Sequence, residues 1–101
     1  MNVLVVEDEE PLRFLSRIIL EDLGHRAVVA DNGMTGMELI EKCHTTIDVV
    51  LTDFRMPRRN GLEVTRFVKL NYPRIRVVLM SGEKTVESVA KAAGADYFLY
   101  K

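Results

Sequence analysis

The chain has 101 residues, of which 48% are hydrophobic and 29% charged, a composition typical of one globular domain and unlike that of disordered or low-complexity proteins. Fourteen Lys and Arg residues against fifteen Asp and Glu residues give a net charge of −1, so no overall positive field attracts the domain to nucleic acid or to an anionic membrane. A single cysteine excludes an internal disulfide, and without a signal peptide or an apolar run of about 20 residues we expect a cytoplasmic protein with no membrane or direct nucleic-acid partner.

Short apolar runs alternate along the chain with longer amphipathic stretches. In chain order these predict a strand at residues 3–6, a helix at 11–23, a strand at 27–30, a helix around 34–40, a strand at 49–52, a helix around 62–68, a strand at 77–80, a helix at 85–93 and a strand at 97–100. The first four strands lack polar alternation, as expected for parallel strands that are covered on both faces.

This order of elements predicts an α/β fold with a doubly wound, five-stranded parallel sheet. No linker or internal repeat divides the chain, so residues 1–101 are expected to form one domain. No helix follows the fifth strand before Lys101, which leaves one face of the sheet short of cover.

Acidic residues collect where two predicted strands end. Glu7 and Asp8 directly follow the first strand, and Asp53 follows the third. In open parallel sheets these carboxyl ends meet at one edge, so the three side chains are expected to share a pocket. Neighbouring carboxylates repel one another unless a cation lies between them, and an all-oxygen set of ligands suits Mg²⁺. Glu9 and Glu10 alone are better explained as exposed acids at a helix N-terminus.

A hydroxyl and an ammonium group are expected at the same edge. Ser81 ends the fourth strand and Lys101 ends the fifth. An acidic metal site beside Lys and Ser is suited to bind an oxyanion, of which a phosphoryl group fits best. Asp53 could then act as the nucleophile and form an aspartyl phosphate.

At these residues the whole chain resembles the response regulator receiver family of two-component signalling. The matching segments are residues 5–9, residues 48–53 with Met56-Pro57 and Asn60-Gly61, residues 78–82 and residues 94–101. Each segment is weak evidence alone, but the four occur in order, each at the end of its own predicted strand.

The resemblance implies the flavodoxin-like strand order 2-1-3-4-5 and a phosphoacceptor role for Asp53. The phosphoryl donor would be a histidine kinase, a phosphotransfer protein or a small phosphodonor. Mg²⁺ would be held by Glu7, Asp8 and Asp53, together with the backbone carbonyl of Arg55.

The same resemblance assigns roles in switching. Lys101 would contact the phosphoryl group, Ser81 would move its hydroxyl onto a phosphoryl oxygen, and Phe98 would turn inward behind it. Binding to a downstream output domain or protein would change as the phosphoryl group shifts the conformational equilibrium.

Members of the family usually continue with a proline and a fifth helix after the lysine. We therefore expect that the chain is truncated after the fifth strand, or that another chain covers the open face, with self-association as one result. Arg55 and Glu83 lie two residues after Asp53 and Ser81. We hypothesise that they form a salt bridge that shields the aspartyl phosphate from water.

Three other interpretations stay open to different degrees. A receiver-like interaction module that is never phosphorylated is the main alternative, although the acids, Ser81 and Lys101 argue against it. An aspartate-nucleophile phosphatase typically needs a second acid two residues after the nucleophile, where this chain has Arg55. A flavin-binding fold is disfavoured because the first β/α turn is acidic, whereas a cofactor phosphate needs backbone donors.

Overall fold

The computed structural model describes residues 1–101, which form five strands and four helices in strict alternation. The elements are β1 (Asn2–Val6), α1 (Glu10–Asp22), β2 (Arg26–Ala30), α2 (Gly33–Cys43), β3 (Val49–Asp53), α3 (Gly61–Asn71), β4 (Arg76–Ser81), α4 (Val86–Ala92) and β5 (Tyr97–Tyr100). Each predicted element is present, and the boundaries differ from the predicted ones by a few residues, mainly at helix ends, where capping decides the last turn.

All strands pair in parallel, in the order β2-β1-β3-β4-β5. This is the flavodoxin-like order that the resemblance implied, and the doubly wound fold class is confirmed. The chain runs outward from β1 to β2 and then returns to place β3 on the other side of β1. The connections after β1 and β3 therefore leave the sheet in different directions, which opens a crevice at their carboxyl ends.

The core lies on the face of the sheet that α2, α3 and α4 cover. Leu4 and Val50 pack there against α2 and α3, and Leu79 packs against α4. Because side chains alternate along a strand, the residues between them point to the opposite face. None of the four helices combines the length and the hydrophobicity that spanning a bilayer requires.

The opposite face is only partly covered. It carries α1, which contacts β1 and β2 and has no buried residue. The large apolar side chains Phe14, Leu15 and Ile19 of this helix and Leu23, which caps its end, are each at least half exposed, and Leu99 of β5 is 51% exposed. The expected shortage of cover is thus present in the structure.

The loop between β3 and α3 is held close to the end of β3. The Asn60 side chain accepts a hydrogen bond from the Glu63 amide at 3.0 Å, and the Glu63 carboxylate accepts one from the Asn60 amide at 3.2 Å. This capping box fixes the start of α3. A Cβ at Gly61 would lie 2.3 Å from the Asp53 carbonyl oxygen, so only glycine permits this approach.

An ion pair stabilises the end of the sheet where β4 and β5 begin. The Asp96 carboxylate accepts one hydrogen bond from the Val77 amide at 2.8 Å and lies 2.7 Å from Lys69 Nζ. Lys69 also donates to the Ile75 carbonyl at 2.8 Å. Burial would raise the pKa of Asp96, but the hydrogen bonds from Lys69 and Val77 and the nearby positive charges lower it. The pair joins the end of α3 to the starts of β4 and β5.

We predict that Asp96→Asn destabilises the fold, because Lys69 loses the carboxylate that compensates its half-buried charge. The free energy of unfolding at pH 7 should fall by about 1.5–3 kcal/mol, as for hydrogen bonds to charged groups. The lowered pKa of Asp96 stabilises the native state above the pKa of the unfolded carboxyl, and that stabilisation is lost as pH falls through the folded value. Urea unfolding at pH 7 and at about pH 3 should therefore show a smaller difference between variant and wild type in acid. Glu38→Gln, on the exposed face of α2, is the control, and an equal effect from both substitutions would contradict the prediction.

Candidate functional site

Three carboxylates meet at the carboxyl edge of the sheet. Glu7 and Asp8 follow β1, Asp53 ends β3, and one carboxylate oxygen from each lies within 4.8 Å of the others. Glu7 and Asp53 are buried, whereas Asp8 is exposed to solvent. The Glu7 amide donates to the Ala30 carbonyl at 3.0 Å, which extends the pairing of β1 with β2 by one residue and keeps the Glu7 backbone in register.

Lys101 is the cation that faces these acids. Its Nζ lies 2.8 Å from Asp53 Oδ1 and 3.3 Å from Glu7 Oε1, and its amide donates to the Ser81 carbonyl at 2.9 Å. The amide bond continues the pairing of β5 with β4, and this places the side chain over the site. Lys101 and Glu7 are 94 positions apart in the chain, so only the sheet brings them together.

The electrostatics of the cluster reflect its burial. Burial raises the pKa of Glu7, and the negative charge of Asp53 raises it further. The hydrogen bond from the Glu9 amide and the positive charge of Lys101 lower this pKa, but the net shift is upward. Burial would lower the pKa of Lys101, but hydrogen bonds and charges of Asp53 and Glu7 outweigh it and raise the pKa. One ammonium group therefore faces three acids, which leaves the cluster with excess negative charge.

The residues present fit a hard divalent cation. All three side chains offer oxygen ligands, which hard cations such as Mg²⁺ prefer. Softer metal ions prefer nitrogen or sulfur ligands, and the cluster contains neither. Asp8, being exposed, leaves the cluster accessible from solvent. Arg55, whose carbonyl the resemblance adds to the ligands, borders the same cavity.

The cluster borders a polar cavity of about 460 Å³. Its lining contains no hydrophobic residue and consists of Asp8, Glu9, Asp53, Arg55, Ser81, Gly82, Glu83 and Lys101. A separate groove of about 320 Å³ beside β2 is mostly apolar and lies away from the acids. The polar cavity is the one suited to a charged ligand.

Two loops meet across the mouth of this cavity. Arg55 in the loop after β3 forms an ion pair with Glu83 in the loop after β4, through Arg55 Nε and Glu83 Oε1. The guanidinium carbon of Arg55 lies 5.5 Å from the centre of the Phe54 ring. Hydrogen bonding to Arg55 lowers the pKa of Glu83, so its carboxylate is ionised at neutral pH. The salt bridge hypothesised from the sequence is thus present.

Ser81 and Phe98 occupy different environments. Ser81 is buried in the cavity wall, and its Oγ accepts a hydrogen bond from the Glu83 amide at 3.0 Å. Phe98 is half buried on the face of the sheet that α4 covers, packed with Leu79 and α4, and does not line the cavity. The structure therefore gathers the predicted acids, Ser81, Arg55, Glu83 and Lys101, but not Phe98.

Sequence reasoning missed two groups that shape the site. Glu9, interpreted as an exposed acid at a helix start, lines the cavity, and its amide donates to Glu7 Oε2 at 3.2 Å. Gly61 allows the loop after β3 to return to Asp53. The only signals were the position of Glu9 next to Asp8 and of Gly61 after a cap-forming Asn.

A family model for the response regulator receiver domain matches residues 3–101. Among curated proteins, the chain is 31% identical to a probable transcriptional regulatory protein of Picosynechococcus sp., over 99% of this chain and 43% of that protein. It is 36% identical to the virulence sensor protein BvgS of Bordetella bronchiseptica, over 100% of this chain and 9% of that protein. The chain thus spans less than half the length of these curated relatives.

Solved structures show the same likeness in three dimensions. A receiver domain protein from Clostridium thermocellum is 27% identical and superposes with a TM-score of 0.92, over 99% of this chain and 81% of that one. The response regulator TrrA of Thermotoga maritima, solved in complex with Mg²⁺ and BeF, is 28% identical with a TM-score of 0.85, over 99% of this chain and 85% of that one. Together with the match over residues 3–101, they show that the chain belongs to the response regulator receiver domain family.

Proposed function

We propose that this receiver domain accepts a phosphoryl group on Asp53 and uses it to switch the binding of a partner. Receiver domains of two-component systems are generally signalling phosphoacceptors. The observation that carries the assignment to Asp53 is its position: the carboxylate lies beside Glu7 and Asp8 and 2.8 Å from Lys101 Nζ, in a cavity without hydrophobic lining.

The proposed reaction transfers a phosphoryl group from a histidine nitrogen to a carboxylate oxygen of Asp53. A carboxylate oxygen of Asp53 forms a bond to the phosphorus of a phosphohistidine, and the bond from phosphorus to the histidine nitrogen breaks. The electron pair stays on that nitrogen. Because the transferred group is anionic, the protein acts mainly by positioning it and by balancing its charge. Lys101 supplies one positive charge, and the Ser81 hydroxyl supplies a hydrogen-bond donor.

The carboxylates of Glu7, Asp8 and Asp53, with the backbone carbonyl of Arg55, would hold Mg²⁺. When bound, the ion would neutralise charge on the phosphoryl oxygens and on the acids. The side chain of Glu7 is one methylene longer than that of aspartate, and it can reach a cation through a water molecule because Mg²⁺ usually retains several waters.

Switching follows from a difference in affinity. The phosphoryl group would favour an arrangement in which Ser81 and Phe98 are shifted. The equilibrium between the two arrangements then changes by the difference in free energy with which the phosphoryl group interacts with each of them, and by no more. The donor would be a histidine kinase or a phosphotransfer protein, and the recipient of the signal an output domain or protein. Such partners are supported by the relatives, of which one is named a sensor protein and another a transcriptional regulatory protein. We also propose that the domain acts in the cytoplasm.

The first prediction from this proposal concerns the phosphoacceptor. Incubation with acetyl phosphate and Mg²⁺ should raise the mass by about 80 Da, the mass of one phosphoryl group. Asp53→Asn should show no increase because the nucleophile is gone, and chelation of Mg²⁺ by EDTA should prevent it in the wild-type protein. A folded wild-type protein that stays unmodified would contradict the proposed function and favour an interaction module.

The second prediction concerns the lifetime of the aspartyl phosphate. We propose that the Arg55–Glu83 ion pair shields the phosphoryl group from water, since both residues border the cavity. Arg55→Ala should then accelerate loss of the phosphoryl group about two- to fivefold, a modest effect because exposed ion pairs are weak. The decay of the phosphorylated mass after removal of the donor measures this. Arg17→Ala removes a comparable exposed ion pair on α1 and is the control. Equal decay of all three proteins would refute the shielding role.

The third prediction concerns self-association. We propose that the exposed apolar face of α1 binds a second copy of the domain. The net charge of −1 gives little repulsion between copies, and contiguous apolar surface of this kind is typical of interaction sites. Sedimentation at rising concentration should show dimers, and Ile19→Glu should yield monomers. Leu70→Glu, at an 83% exposed position on α3, should leave dimers intact. A wild-type protein that is monomeric throughout would overturn this proposal.

A further inference from the structure

A chain of contacts joins the two loops at the cavity mouth to the Ser81 hydroxyl. The Arg55 guanidinium lies over the Phe54 ring, and Phe54 in turn packs against the buried cluster of Leu79 and α4. Arg55 Nε pairs with the Glu83 carboxylate. The backbone amide of the same Glu83 donates to Ser81 Oγ at 3.0 Å. The side chain of Glu83 is thus held by one loop while its backbone holds Ser81.

The hydrogen bond from Glu83 leaves Ser81 with an available proton. A serine hydroxyl can donate one hydrogen bond and accept two. Ser81 is 3% exposed, and the bond that its Oγ makes to the Glu83 amide uses an acceptor position. The O–H therefore remains free to donate within the cavity that also contains Asp53 and Lys101.

We propose that Arg55 and Glu83 are positioning residues, whose ion pair holds the Glu83 amide so that Ser81 keeps its proton directed to an incoming phosphoryl group. This rests on the proposed function, and it concerns the rate at which Asp53 is phosphorylated, whereas shielding from water concerns the rate at which the phosphoryl group is lost. The two loops then act as one unit, although 28 residues separate Arg55 from Glu83.

Two substitutions that change the local charge in opposite directions distinguish positioning of Ser81 from electrostatic attraction of the anionic phosphodonor. If charge alone mattered, Arg55→Ala would slow phosphorylation and Glu83→Gln would accelerate it, because one removes a positive and the other a negative charge beside the cavity. Positioning requires that both slow it, because either substitution weakens the ion pair.

The experiment measures initial phosphorylation rates by quenched-flow mass spectrometry with acetyl phosphate and Mg²⁺. The experiment compares the wild type with the single variants Arg55→Ala, Glu83→Gln and Ser81→Ala. It also includes the two double variants in which Ser81→Ala is combined with either Arg55→Ala or Glu83→Gln. We expect each loop substitution to slow phosphorylation about two- to fivefold, within the modest strength of exposed ion pairs. In the Ser81→Ala background the same substitutions should have no further effect, as coupled residues show in a double-mutant cycle. Arg17→Ala is the matched control and should keep the wild-type rate.

Three outcomes would overturn the inference. Faster phosphorylation of Glu83→Gln would indicate an electrostatic effect on the donor, and equal effects with and without Ser81 would show that the ion pair does not act through the hydroxyl. A lowered melting temperature of the loop variants, with the same loss of rate in Arg17→Ala, would indicate general destabilisation. A wild-type protein that takes no phosphoryl group would instead refute the proposed function, and with it this inference.

Discussion

Three acids held within 4.8 Å of one another are the constraint on which the rest of this domain depends. Carboxylates at that separation repel, and burial of Glu7 adds to the cost, as its raised pKa reflects. Lys101 offsets part of that charge through contacts with both Glu7 and Asp53. The remainder favours binding of a divalent cation, and the combination of cation and lysine favours binding of an anion between them. In the proposed function, a bound cation and the phosphoryl group would balance this charge.

The two loops around this site are built differently. The loop after β3 is fixed by the capping box at Asn60 and by the close approach of Gly61 to Asp53. The loop after β4 depends more on side chains, since Glu83 pairs with Arg55 and its amide holds Ser81. The loop beside Asp53 is thus fixed mainly by contacts of its own residues, whereas the loop beside Ser81 is held mainly by one exposed ion pair. The proposed function needs this difference, because Asp53 would have to stay in place while Ser81 responds to the phosphoryl group.

The sheet has one well-packed face and one face that is only partly covered. Residues such as Leu4, Val50 and Leu79 are almost fully buried beneath α2, α3 and α4. On the other face α1 has no buried residue. The domain therefore combines an ordinary core with a large apolar surface, and its relatives, which are longer than this chain, carry such domains within larger proteins.

Most of the elements and the acidic cluster could be predicted from the sequence, because apolar runs of about four residues are typical of buried parallel strands and the acids directly follow two of them. The order of the strands came from the family resemblance, since hydrophobic periodicity does not say which strands are neighbours. The three-dimensional arrangement was needed to show that Lys101 contacts both Glu7 and Asp53, that Glu9 lines the cavity and that Asp96 pairs with Lys69. Contacts between residues that are remote in sequence depend on strand register and loop path, and local patterns do not encode either of these.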